Sequence, residues 1–149
     1  MASSLTISGI HAAYGAVRVI DDVSIKVNAG ETVVLLGTNG NGKSTLMKCI
    51  MGIVQPKQGS IVAEIDGVHH DLTGRTTEEI VDLGIALVPE GRRLFPRLTV
   101  EENLLLGAFR RAARRELARN LQMCFETLDR KSTRLNSSHP SISRMPSSA

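Results

Sequence analysis

Gly37-x-x-x-x-Gly42-Lys43-Ser44 brings two glycines, one long cation and one small hydroxyl into a single short stretch, GTNGNGKST. The spacing fits GxxxxGK[ST], whose chemistry is phosphate capture. Glycines at Gly37, Gly40 and Gly42 allow the backbone to curl, so that N–H groups between Gly37 and Ser44 turn inward toward phosphate oxygens, with Asn39 and Thr45 also expected at the ligand. The start of a following helix adds positive partial charge. Lys43 is expected to reach the β and γ phosphates, and the Ser44 hydroxyl to coordinate Mg²⁺. The ligand implied is a nucleotide with its magnesium ion.

Such a loop works only between a strand and a helix. Before it, TVVLLG (from Thr32) is a continuous apolar run rich in β-branched residues, which predicts a strand buried on both faces of a sheet. After it, STLMKCIMGIV carries Leu46, Ile50 and Ile53 near the helical period and stops at Gly52 and the QPKQG turn. Upstream, the alternation of Leu5 and Ile7, and of Val23, Ile25 and Val27, predicts half-buried antiparallel strands, with turns at Tyr14-Gly15 and Asn28-Ala29-Gly30. Downstream, Ser60 to Ile65 reads as a short strand, GVHHDLTG as a loop holding exposed His69 and His70, and IALVP as another short apolar strand. TTEEIVDLG reads as a capped helix ending at Gly84. Thr99 and Glu102 form a T-x-x-E capping box for a helix that continues, after an interruption, toward Phe125.

The composition narrows the function classes. The net charge of +3 lies wholly in the tail, where Arg130, Lys131, Arg134 and Arg144 face Asp129 alone; the body is balanced. A nucleic-acid backbone binder needs clustered basic side chains on its folded domain, so nucleic acid is not an expected partner. Arg110, Arg111, Arg114 and Arg115 read as a solvated helix face. Cys49 and Cys124 have neither metal-type spacing nor CxxC pairing and read as reduced thiols. No apolar run approaches the ~20 residues of a membrane span, and MASSLTISGI has no signal-peptide pattern, which places the chain in the cytoplasm.

From Asp129 the sequence turns serine-rich and loses apolar periodicity. DRKSTRLNSSH resembles the in-frame translation of a common short-read sequencing adapter, and Ser143 to Ala149 match that adapter's fixed arm beyond a variable index. Residues 129–149 are therefore expected to be a disordered, non-native tail, and residues 1–128 a partial domain.

The body resembles the ATP-binding cassette ATPases of ABC transporters. VNAGETVVLLGTNGNGKSTLMKCIMGIVQPKQGSI is similar to that family throughout, and not only at the glycines. Leu87-Val88-Pro89-Glu90-Gly91-Arg92-Arg93-Leu94-Phe95, followed by LTVEENL, resembles the branched-chain amino acid ATPases of the LivF type. The resemblance implies an α/β fold: the P-loop core of an ABC nucleotide-binding domain, here truncated, with an N-terminal antiparallel β subdomain and the start of a helical subdomain. It implies that Tyr14 stacks on adenine. It also implies that Glu90, where most cassettes carry Gln, touches Mg²⁺ or the attacking water, which makes Lys43 and Glu90 the candidate catalytic residues and Ser44 and Glu90 the candidate metal ligands. A carboxylate offers oxygen to a hard cation just as an amide does.

The implied partners are a second ATPase subunit, membrane permease subunits met through Glu90 to Phe95, and indirectly a periplasmic or extracellular binding protein. The assembled subunit would sit peripherally on the inner face of the cell membrane. An importer of urea or amides, a non-hydrolysing nucleotide-binding module and a small-molecule kinase are the alternatives. The chain carries no LSGGQ-like signature, no apolar strand ending in Asp and Glu, and no switch His. It is therefore expected to bind ATP without turning it over efficiently.

Overall fold

The computed structural model describes residues 3–91, 93–109 and 111–136. The chain divides into two compact units, Met1–Glu90 and Gly91–Ala149.

In the first unit, β1 (Ser3–Tyr14), β2 (Val17–Val27), β3 (Gln58–Ile65) and β4 (Val68–Asp71) form one antiparallel sheet in the order β2-β1-β3-β4. The apolar pattern changes phase along β1: Ile7 is buried, and so are Ile10 and Ala12. A strict two-residue alternation cannot bury that set on one face. Extra residues resolve the conflict. Between the pairs Ile7↔Ile25 and Ile10↔Val23 the surplus lies in β1, and between Ile10↔Val23 and Ala12↔Ile20 it lies in β2. These bulges return Ile20 and Ile10 to the core side.

β3 must pass close to the first bulge. At Gly59 (φ +84) an added Cβ would lie 2.4 Å from the Gly9 carbonyl oxygen and 2.5 Å from that of Ser8, so the approach requires a bare backbone.

Against this face pack α1 (Lys43–Ile50), through Leu46 and Cys49, and α2 (Thr77–Asp82), through Ile80. Ile61, Met51 and Leu72 complete the core. Burial pushes the Cys49 thiol up, in keeping with an inert reduced side chain.

A full capping box starts α2. Thr76 accepts from the Glu79 N–H at 3.3 Å, while the Glu79 carboxylate accepts from the Thr76 N–H at 2.8 Å. The Thr76 backbone N–H, then its hydroxyl, hold the Glu79 carboxyl below its usual range. A lowered folded-state value means this contribution is complete above the usual glutamate range and is lost as pH falls through and below it. Thr76→Ala is expected to cost about 1 kcal/mol in urea titrations at neutral pH, and the difference from wild type to narrow below about pH 4.

Two regions depart from the strands that the sequence predicts. Thr32 to Leu36 forms no strand and lies open, with Val34 70% and Leu36 88% exposed. Ile85 to Pro89 forms none either, and Val88 is 91% exposed. Apolar, β-branched composition supplies the propensity, but a strand exists only where another backbone completes its ladder. Among the described residues neither segment has such a neighbour. In the other direction, GVHHDLTG is not a loop: its first part is β4, and His69 and His70 pair with Glu64 and Ala63. The turn that makes it is Asp66-Gly67, both at positive φ, the Asp-Gly signature of a tight hairpin.

The second unit contains α3 (Val100–Leu106), α4 (Arg111–Arg114) and α5 (Leu117–Asn136). Thr99 and Glu102 cap α3 reciprocally, as their spacing predicts. The interruption expected after α3 falls between α3 and α5, around the short α4. α5 runs to Asn136, past the point where composition predicts regular structure to end. No helix among the described residues is long and apolar enough to cross a membrane.

Candidate functional site

The site is built on the start of α1. Gly42 is its N-cap, in the left-handed region at φ 77, and no side chain caps the helix there. The first N–H groups of a helix have no intrahelical partner, so an uncapped start leaves donors for a ligand. Gly42 is also held tightly: a Cβ would come 2.9 Å from the Val19 carbonyl oxygen, which ties the glycine to the passing β2 strand.

Around this point Val19, Asn39, Gly40, Gly42, Lys43, Ser44, Thr45 and Glu90 line a cleft of about 400 Å³. The Lys43 ammonium donates to the carbonyl oxygens of Gly37 at 2.8 Å and Thr38 at 2.6 Å, so the loop closes around its own cation. An ammonium has three donors, and two carbonyls leave one for an anion in the cleft. The Ser44 hydroxyl donates to Glu90 Oε1 at 2.9 Å. Two hard oxygen donors thus meet across the cleft mouth, a set that suits Mg²⁺, which takes one or two protein oxygens and completes its octahedron with phosphate and water.

The structure therefore gathers Asn39, Gly40, Gly42, Lys43, Ser44, Thr45 and Glu90 in one cleft, with Gly37 just behind as a partner of Lys43. Tyr14 does not line it. Its ring is 46% exposed and lies 6.0 Å from Lys48 Nζ, one helical turn beyond Ser44 on α1. Val19 lines the cleft too, and nothing in the sequence marks it, because a valine in a strand carries no chemical signature. Among the described residues His69, His70 and the cysteines join no metal-binding group.

In the second unit, Arg93, Leu94 and Phe95 precede α3, and Arg92 lies outside the described residues. Leu94 and Phe95 are 68% and 59% exposed. Asn103 fixes the turn there: its Oδ1 accepts from the Phe95 N–H, and its Nδ2 donates to the carbonyls of Phe95, Leu98 and Thr99. Nothing in the LTVEENL pattern by itself marks Asn103 for this task.

The ABC transporter family matches residues 20–144. The chain belongs to that family. It is 48% identical over 96 residues to the high-affinity branched-chain amino acid transport ATP-binding protein BraG of Pseudomonas aeruginosa, covering 64% of this chain and 40% of that protein. It is 40% identical over 103 residues to the arabinose import ATP-binding protein AraG of Azospirillum brasilense, covering 69% of this chain and 19% of that protein. The chain thus spans less than half the length of these relatives.

A solved ATP-binding cassette in its ADP conformation superposes with a TM-score of 0.62 at 32% identity, over 70% of this chain and 40% of that one. A nucleotide-free cassette gives 0.61 at 31% identity, over 70% and 40%. The fold is accordingly the α/β fold of an ABC ATPase domain in part, with its N-terminal antiparallel sheet and its P-loop helix in place.

Proposed function

We propose that this chain is the nucleotide-binding part of an ABC importer's ATP-binding subunit, and that the importer takes up branched-chain amino acids. One observation carries the nucleotide reading: a single cleft at the uncapped start of α1 holds the enclosed Lys43 ammonium and the Ser44–Glu90 oxygen pair. In that cleft the backbone amides from Asn39 to Thr45 would hold the phosphates, Lys43 would neutralise the terminal ones, and Ser44 with Glu90 would hold the magnesium ion that screens them. Tyr14, whose exposed ring lies 6.0 Å from Lys48 Nζ, would turn to adenine. The cargo reading rests on the higher identity to BraG than to the arabinose relative, together with VPEGRRLF.

In the assembled importer the ATPase subunits would pair and the exposed Leu94 and Phe95 would meet the permease, placing the subunit on the inner face of the membrane. An amide or urea importer is the second reading of the cargo, because selection of cargo falls to other subunits of such importers.

The 149-residue polypeptide itself contains no LSGGQ-like signature segment, no apolar strand ending in Asp and Glu and no switch His. It is expected to bind MgATP saturably in calorimetric titration and to release no phosphate above background in a coupled assay. Absence of saturable binding by the folded chain would overturn the nucleotide reading. Phosphate release at several turnovers per second would overturn the division between binding and hydrolysis.

A further inference from the structure

We infer that a second hollow, at the turn between β1 and β2, is an anion site that takes the phosphate group of a small soluble phosphate monoester. It shares no lining residue with the cleft at α1. The inference is independent of the nucleotide reading.

Small residues make the room. Where β1 turns into β2, Ala13, Gly15 and Ala16 carry at most one carbon beyond the backbone, and they border a hollow of about 220 Å³. A Cβ added at Gly15 would meet nothing within 4 Å. Pockets for drug-sized ligands start at roughly 300 Å³, so this one suits a smaller guest.

Long polar side chains wall it. Between the pairs Ala12↔Ile20 and Ala13↔Arg18 the surplus residue lies in β2, and this bulge sets Arg18 opposite Ala13 at the hollow. Lys57, just before β3, arrives from the other side. Its N–H donates to the His11 carbonyl at 2.7 Å and its ammonium to the Gly15 carbonyl at 3.3 Å. Strand pairing therefore brings the two cations to one place.

Charge decides what enters. Among the described residues lining the hollow, Arg18 and Lys57 are cationic and none is acidic. One carboxylate stands beside it: Asp21 Oδ1 accepts from Arg18 at 3.0 Å and lies 2.8 Å from His11 Nδ1. Arg18, Lys57 and Asp21 together still leave one net positive charge. Asp22 does not offset it, since its Oδ1 is turned toward Gly9, 3.4 Å from where a Cβ there would stand.

Donors remain for a guest. Arg18 gives Asp21 one bond from a guanidinium with five N–H groups, and Lys57 gives Gly15 one from an ammonium with three. A phosphate monoester offers three strong acceptor oxygens and nearly two negative charges, enough to accept from both cations at once. No long apolar side chain lines the hollow, so an acyl chain has nothing to bury against. The Arg18 side chain is 67% exposed, so water screens the attraction and the expected dissociation constant is on the order of a millimolar.

The test is titration of the ¹⁵N-labelled full chain with inorganic phosphate, and separately with glycerol 3-phosphate, at constant ionic strength, read as amide chemical shifts. The amides of Ala13, Gly15 and Ala16 are expected to move and to saturate at millimolar concentration. Acetate, with one charge and two oxygens, is expected to need about tenfold more, and chloride to leave them in place. Arg18→Gln and Lys57→Met are each expected to weaken phosphate at these amides by about fivefold or more, with thermal midpoints near wild type. Lys43→Ala, in the other cleft, is expected to leave the affinity at these three amides within about twofold of wild type.

Saturable shifts confined to residues 37–45, the same shifts with chloride, or unchanged affinity in either Arg18→Gln or Lys57→Met would overturn the inference. None of these outcomes bears on MgATP binding, which calorimetry tests by itself.

Discussion

Gly59→Ala is expected to remove most of the folded population of the first unit, at a cost above about 3 kcal/mol. Two effects act at this residue and a comparison separates them. Gly59 has φ +84, and so an alanine there bears the strain of a left-handed backbone. Gly74 has φ +80 with nothing within 4 Å of the added methyl, so Gly74→Ala bears that strain alone and is expected to cost about 1 kcal/mol.

The difference belongs to the close approach of β3 to the β1 bulge, where the new methyl would stand 2.4 to 2.6 Å from three backbone atoms of Ser8 and Gly9. Backbone atoms cannot step aside as a side-chain tip can. Relief requires β3 to slide off β1, and β1 is the strand that joins β2 to the rest of the sheet. Urea titration followed by circular dichroism measures both variants. Equal midpoints would show that the bulge yields and that the steric argument is wrong.

How much of this was readable beforehand differs by element. The turn into α1 was legible, since GxxxxGK[ST] calls for bare backbone leading into a helix, and Gly42 caps α1 at φ 77 with Lys43 as its first residue. The Thr99–Glu102 capping box was legible because it is local, complete within four residues, and TTEEIVDLG read as a capped helix for the same reason, though the reciprocal Thr76–Glu79 pair was not singled out. The strand readings at Thr32 to Leu36 and Ile85 to Pro89 went further than local information allows. Val34 and Val88 have the propensity of a buried strand and are exposed, because pairing is a property of neighbours distant in sequence.

β4 was missed for a different reason. VHHD lacks apolar alternation, and only the preceding Asp66-Gly67 announced the hairpin. The bulges were implicit in the phase change from Ile7 to Ile10. That change becomes evidence only once Val23 and Ile20 are seen to shift with it on the partner strand.

Lys43→Ala is expected to weaken MgATP binding by on the order of a hundredfold or more, with little loss of stability. The two parts of the claim have separate causes. For stability, Lys43 is a solvent-accessible side chain whose bonds to the Gly37 and Thr38 carbonyls replace bonds those oxygens can make with water, a net contribution of about 1 kcal/mol or less. For binding, Lys43 is the one cation among the described residues lining the cleft, so the variant removes the attraction it offers the phosphates.

Lys43→Arg is expected to recover only part of the loss. It restores the charge, but a planar fork cannot direct donors to two carbonyls and a phosphate as a compact ammonium does. A thermal melt of each apo variant, beside calorimetry with MgATP, separates folding from affinity. Lys43→Ala binding within about threefold of wild type would mean that the backbone amides suffice to hold the phosphates and that the lysine serves the loop alone. Lys43→Arg matching wild type would mean that charge decides and the directed bonds to Gly37 and Thr38 do not.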